Sequence, residues 1–139
     1  MPLYRSVLPA DHLLLVNTPT RYNSEMTKGL AKDLATRLGS PYLTIPIGQF
    51  IDETAKALEG LPISCGREIH LTSFMKENMQ ARDRSSRILS ALSAAFGGIF
   101  TCNANKTETT VGYGTLYGDL AGAFAAIYGN TRSITWAAF

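Results

Sequence analysis

HLLLVNTPTRYNSEMTKGLAKDLATRLGSPYLTIPI, residues 12–47, decides the fold. The apolar run at 12–16 is short and closes on polar residues and Pro19, which is the pattern of a buried strand. Ser24 stands where it can cap a helix. Met26, Leu30, Leu34 and Leu38 then recur every fourth residue with Ala31 and Ala35 beside them, while Lys28, Lys32 and Arg37 fall elsewhere on the wheel. Gly39 is placed to end that helix, and residues 42–47 (YLTIPI) read as a second strand with Pro46 at its end. Strand, helix, strand predicts parallel pairing through a right-handed crossover.

The pattern continues downstream. Residues 48–59 predict a second helix with Ile51, Ala55 and Leu58 inward. Residues 60–72 contain Pro62, Gly66 and little periodicity, and read as a mobile connection. Ser73 is placed to cap a long helix over 74–96, which Gly97 and Gly98 stop. Residues 99–102 (IFTC) predict a third short strand. A stretch rich in Asn, Thr and Gly follows to Asp119, then small apolar residues over 120–128, then the start of a helix over 130–139. The expected class is α/β: a partial Rossmann-like parallel sheet with flanking helices.

Composition narrows the function. A chain of 139 residues holds one compact domain, and 45% hydrophobic with 17% charged residues is ordinary for a globular one. A formal charge of +2 without a Lys/Arg run gives no footprint for nucleic acid. No apolar run approaches a membrane span and the first ten residues carry no signal-peptide pattern, so a cytoplasmic protein is expected. Cys65 and Cys102 lie far apart, and His12 and His70 are isolated, which indicates neither a zinc site nor a disulfide framework.

Open α/β sheets bind ligands at the carboxyl ends of their strands. Two polar clusters fall there: residues 17–24, with Arg21, and residues 103–108 (NANKTE) after the third strand. Glu108 and Asp119 are carboxylates separated by a Gly-rich loop, and Lys106 and Arg132 are cations able to meet phosphate. On composition alone, NANKTE reads first as a capped strand-to-helix turn, and the glycines at 112, 114 and 118 do not match a dinucleotide fingerprint. On the long helix, Asn78, Arg82 and Ser85 share one face at i, i+4 and i+7. Arg84 and Arg87 read as solvated charge or as partners of Asp83 or nearby acids. Arg82 is either a fork for an anion or another surface charge.

Taken in order, ENMQARDRSSR at 77–87, CNANKTE at 102–108 and VGYGTLYGDLAG at 111–122 resemble the synthetase domain of NAD synthetases, and PTRYNSE at 19–25 resembles the family's loop after its second strand. The resemblance covers most of residues 12–133. It implies an adenine-nucleotide α-hydrolase-like fold and NAD biosynthesis. In that reaction Mg-ATP adenylates the nicotinate carboxylate of deamido-NAD, and ammonia, free or from glutamine, displaces AMP. By position it implies deamido-NAD contacts for Asn78, Arg82 and Asp119, ATP contacts for Arg21, Asn103 and Arg132, and a Mg²⁺ ligand in Glu108. It implies a homodimer through the long helix. It also shows departures: Asn103 stands where many members have Thr, and Arg132 where many have Lys. The Ser-Gly-Gly-x-Asp-Ser pyrophosphate loop, upstream in the family, has no counterpart in these residues, nor does a glutaminase domain. Residues 1–139 are therefore expected to be a partial synthetase domain that lacks the first strand and that loop. Such a chain is inactive alone, with an upstream synthetase segment or glutaminase domain as possible partners. The alternative is a non-catalytic dimerising or dinucleotide-binding module.

Overall fold

A computed structural model describes residues 2–21, 23–101, 104 and 106–122. The element order is α1 (Pro2–Val7), a short 3₁₀ turn (Ala10–His12), β1 (Leu15–Asn17), α2 (Glu25–Leu38), β2 (Tyr42–Thr44), α3 (Gly48–Leu58), β3 (Pro62–Ile63), β4 (Arg67–Glu68), α4 (Ser73–Arg82), a π-helical segment (Asp83–Leu89), α5 (Ser90–Phe96) and α6 (Lys106–Thr110).

The central βαβ unit forms as its sequence dictates. β1 and β2 pair in parallel, Leu15 opposite Tyr42 and Asn17 opposite Thr44. Ser24 Oγ accepts from the Thr27 amide at 3.2 Å, satisfying one of the orphan donors of α2. Gly39 ends α2 at φ 63°, a left-handed turn that favours glycine. β1 is three residues long and starts later than the apolar run, because Ala10–His12 winds into the 3₁₀ turn.

The face of α2 differs from the expectation. Ala31 and Ala35 are the buried residues, while Met26 and Leu30 are 74% and 60% exposed. Alanines let the helix lie close on the sheet, and a sheet of two strands is too narrow to cover the larger residues of that stripe. In α3, Ile51 is buried and Ala55 and Leu58 are half-buried, so its inward face is as read. Leu15, Ile47, Ile51 and Ile88 form the apolar centre, with Ile47 wholly buried.

Residues 60–72 are not an unstructured connection. β3 and β4 make an antiparallel hairpin, Ile63 opposite Arg67, whose turn places Cys65 and Gly66 at φ 77° and 69°. Glu59 holds its base: one carboxylate oxygen meets His70 Nδ1 at 3.1 Å and the other accepts the Leu71 amide at 3.1 Å. These bonds pull the Glu59 carboxyl below its ordinary range, the His70 bond most strongly and the Leu71 amide next.

The long helix begins one residue earlier than read. Thr72, rather than Ser73, is its cap, accepting from the Met75 amide at 3.2 Å. α4, the π segment and α5 form one run that Gly97 ends at φ 71°. Residues 99–101 are not a strand. A strand needs a ladder partner, and β1 and β2 pair only with each other among the described residues. The end of the expected third strand at Cys102, the small apolar stretch beyond residue 122 and the expected helix over 130–139 lie outside the described residues.

Candidate functional site

The face of the long helix grips the Gly-rich loop. Asn78 Nδ2 donates to its own helix, at Phe74 O (2.9 Å), which turns Oδ1 outward to accept Thr115 Oγ1 at 2.8 Å. The Thr115 amide donates to Asp119 Oδ1 at 3.0 Å. Thr115 thus joins Asn78 and Asp119. One turn on, Arg82 Nε donates to Leu116 O at 3.2 Å, Ser85 Oγ to Gly118 O at 2.6 Å and Ser86 Oγ to Tyr117 O at 3.2 Å. The residue at i holds the Thr115 hydroxyl and those at i+4, i+7 and i+8 reach the carbonyls of residues 116–118, which is what a shared helix face permits. The π segment begins directly after Arg82; such wide turns are frequent at functional sites.

Gly118 is required here by space. A Cβ on it would stand 2.9 Å from Ala81 Cβ and 3.0 Å from the Ala81 carbonyl carbon. The loop therefore lies backbone-on-backbone against α4 at Ala81, and small residues on both sides make that approach possible.

Of the two arginines expected as solvated charge or as partners of Asp83 or nearby acids, one pairs with Asp83 and the other is not solvated. Arg87 takes Asp83, with Nε and Nη2 at 2.6 and 2.7 Å from the two carboxylate oxygens, and stacks over the Phe50 ring at 4.0 Å. That pairing raises the Arg87 pKa above its ordinary value. Arg84 instead turns inward, and its Nε donates to Thr18 Oγ1 at 2.7 Å, at the carboxyl end of β1. Burial lowers its pKa, opposed by the nearby charges of Asp119 and Asp83. The i, i+4 spacing of Asp83 and Arg87 was the available signal: it assigns the acid's hydrogen bonds to Arg87.

The other sequence-derived positions lie apart from this clamp. Arg21 pairs with Asp52 of α3 at 3.1 Å, in a loop that Asn23 fastens by accepting the Thr20 amide at 2.7 Å. Arg84 connects that end of β1 to the clamp through Thr18. Glu108 is half-buried on α6, and its carbonyl accepts the Tyr113 amide at 2.8 Å, tying α6 to the start of the loop. Asn103 and Arg132 lie outside the described residues. Among the described residues no three His, Cys, Asp or Glu side chains gather as a metal cage.

The family model for NAD synthase matches residues 2–135. The chain belongs to the NAD synthase family. Among curated NAD synthetases it is 36% identical over 120 residues to the glutamine-dependent NAD(+) synthetase of Xylella fastidiosa, covering 86% of this chain and 21% of that protein. To the glutamine-dependent NAD(+) synthetase of Thermotoga maritima it is 39% identical over 109 residues, covering 78% and 18%. The structure of the glutamine-dependent NAD+ synthetase of Acinetobacter baumannii, in complex with adenosine diphosphate, superposes with a TM-score of 0.69 at 30% identity, over 82% of this chain and 21% of that one. The chain thus spans about a fifth of the length of these glutamine-dependent relatives. The α/β fold expected from residues 12–47 agrees with this likeness.

Proposed function

We propose that these residues form the deamido-NAD side of an NAD synthetase, a cytoplasmic enzyme of NAD biosynthesis, and that alone they do not turn over. The observation that carries the reading is the clamp. Thr115 holds Asn78 and Asp119 together, and the exposed Arg82 meets the loop, among the described residues, through Nε. An Arg fork beside a fixed loop is a seat for a dinucleotide pyrophosphate or carboxylate. Asn78 acts here as a positioning residue, since both ends of its amide are engaged. Arg21, Asn103 and Arg132 are assigned to ATP, and Glu108 to Mg²⁺, by position in the family.

In the reaction, a carboxylate oxygen of deamido-NAD attacks the α-phosphorus of ATP and expels pyrophosphate. Ammonia then attacks the acyl carbon, AMP leaves, and the proton lost by nitrogen passes to solvent. Mg²⁺, when bound, screens phosphate charge. The protein's part is to align two anions. The Ser-Gly-Gly-x-Asp-Ser loop that should hold the leaving pyrophosphate is not among these residues, and a synthetase segment or glutaminase domain is the partner that completes the enzyme. A homodimer through α4 is part of the same proposal, since Phe74 and Met75 on that helix are exposed.

Calorimetry tests the reading. The chain should bind deamido-NAD more tightly than ATP, and Arg82→Ala should cost about 1–3 kcal/mol of that binding. Purified chain given ATP, Mg²⁺, ammonia and deamido-NAD should form no NAD above background. Equal affinity of the Arg82→Ala variant removes the seat, and turnover removes the claim of dependence on an outside segment.

A further inference from the structure

Thr18, which holds Arg84, and Asn17 just before it open on different hollows, as neighbours along a strand do. Thr18 lines a cavity of about 670 Å³ together with Arg84 and Asp119. Asn17 lines a separate cleft of about 310 Å³, and the two hollows share no described residue. The cleft lies between the sheet and α2. Asn17, Tyr42 and Thr44 form its floor, and Lys28, Gly29 and Lys32 its helical side. Its size falls near the lower end of the range for small-molecule pockets, roughly 300–1,000 Å³.

The floor is polar and partly unspent. Asn17 is only 8% exposed, and its Nδ2 donates to the Tyr42 hydroxyl at 3.1 Å. Among the described residues, Ser40 Oγ is the one buried side-chain oxygen or nitrogen without a partner. Asn17 Oδ1, to which no described residue donates, is therefore reached by solvent, and the cleft is where Asn17 meets it. The helical side carries charge. Lys28 Nζ is held by Glu25 at 2.6 Å, whereas Lys32, one turn on, pairs with no described acid. Gly29 sits between them inside the 14-residue α2, where glycine lowers helix stability relative to alanine. A Cβ there would meet nothing within 4 Å, so no neighbour demands glycine. What the bare position provides is an open approach to the floor beside Lys32. This set of groups selects its ligand. A lysine ammonium meets phosphate as a point charge. Hydroxyl groups both donate and accept, so they can satisfy Asn17 Oδ1 and the Tyr42 and Thr44 hydroxyls together. An apolar ligand would leave Asn17 Oδ1 dry and unpaired, which is costly.

We propose that this cleft binds a small sugar phosphate, its phosphate on Lys32 and its hydroxyls on Asn17, Tyr42 and Thr44. The site is apart from the Thr115 clamp and stands whether or not that clamp holds a dinucleotide. The test titrates the purified chain with ribose-5-phosphate, followed by amide NMR and calorimetry. The Asn17 side-chain amide and the Gly29 backbone amide should shift, and the Thr115 amide should not. Ribose and inorganic phosphate, each alone, should bind at least about tenfold more weakly, since each satisfies only one side of the cleft. Lys32→Met, at an exposed position, should weaken binding about tenfold, the loss of one charged hydrogen bond, with helical circular dichroism unchanged. Gly29→Ala should act in two opposite directions. It should raise the thermal midpoint, because α2 gains a better helix former, and weaken binding, because the methyl group narrows the approach. No binding at millimolar concentration, shifts centred on Thr115, phosphate alone binding as tightly as the sugar phosphate, or unchanged affinity in either variant overturns the proposal.

Discussion

Replacing Gly118 by alanine tests the contact on which the clamp depends. The new Cβ would lie 2.9 Å from Ala81 Cβ, 3.0 Å from the Ala81 carbonyl carbon and 3.0 Å from Thr115 Cβ. None of these is the free end of a long side chain, so the loop must move as a unit. Overpacking of this kind costs about 1–3 kcal/mol. Lifting the loop also weakens the buried 2.6 Å bond from Ser85 to Gly118 O, worth about 1 kcal/mol. A total near 3 kcal/mol corresponds to roughly a hundredfold faster opening-limited exchange. The Thr115 amide, bonded to Asp119, is the reporter, followed by hydrogen exchange under native conditions. Gly114→Ala is the control, because the atoms nearest its Cβ would be Leu120 side-chain carbons, at 2.8–2.9 Å, which can rotate away. That change should cost about 1 kcal/mol or less. Unchanged Thr115 exchange in the Gly118 variant, or an equal effect from the Gly114 variant, would refute the close-packing argument.

Arg84→Ala removes a charged donor to Thr18 and should lower stability to urea by about 1.5–3 kcal/mol, with Arg84→Lys recovering only part. The Glu59 carboxylate has its pKa below 4.5, so its hold on the hairpin is complete above that pH and is lost as pH falls through the depressed value. Exchange at Leu71, normalised for its intrinsic pH dependence, should rise only in that acid range, and Glu59→Gln should remove the dependence. Thr72→Ala should cost about 1 kcal/mol of stability by uncapping α4, seen in thermal melts. If α4 mediates a dimer, Phe74→Asp should give a monomer by light scattering, because it sets a charge on an exposed apolar face.

Local signals were readable where one residue type has one job. Ser24 and Gly39 bracket α2 because a cap needs an acceptor and a left-handed turn needs glycine, and the βαβ unit follows from them. The hairpin over 62–68 was invisible because strands of two residues carry no periodicity, and what fixes them is Glu59 reaching His70 and Leu71. Met26 and Leu30 misled for a related reason: a wheel gives the apolar stripe of a helix, not how much of it the neighbouring sheet can cover. At the site, spacing gathered Asn78, Arg82 and Ser85 on one face correctly. It could not say that the partner was loop 115–118, since that contact joins residues more than thirty positions apart. Arg84 escaped notice because three arginines within six residues look alike until the acid they compete for is assigned.

The π-helical segment has a consequence for how this chain tolerates a change of length. Each of its turns holds one residue more than an α turn, so residues 83–89 store slack that the flanking helices lack. A single deletion there can be absorbed by tightening to α geometry with the backbone ladder intact. A deletion in the flanking α-helical stretches has no such slack and would turn everything beyond it by about 100°, carrying Leu92 and Phe96 away from Leu13 and Val16, across the cavity that they line together. The wide turn is therefore the place where this rod can lose a residue and still meet the loop at its start and β1 at its end.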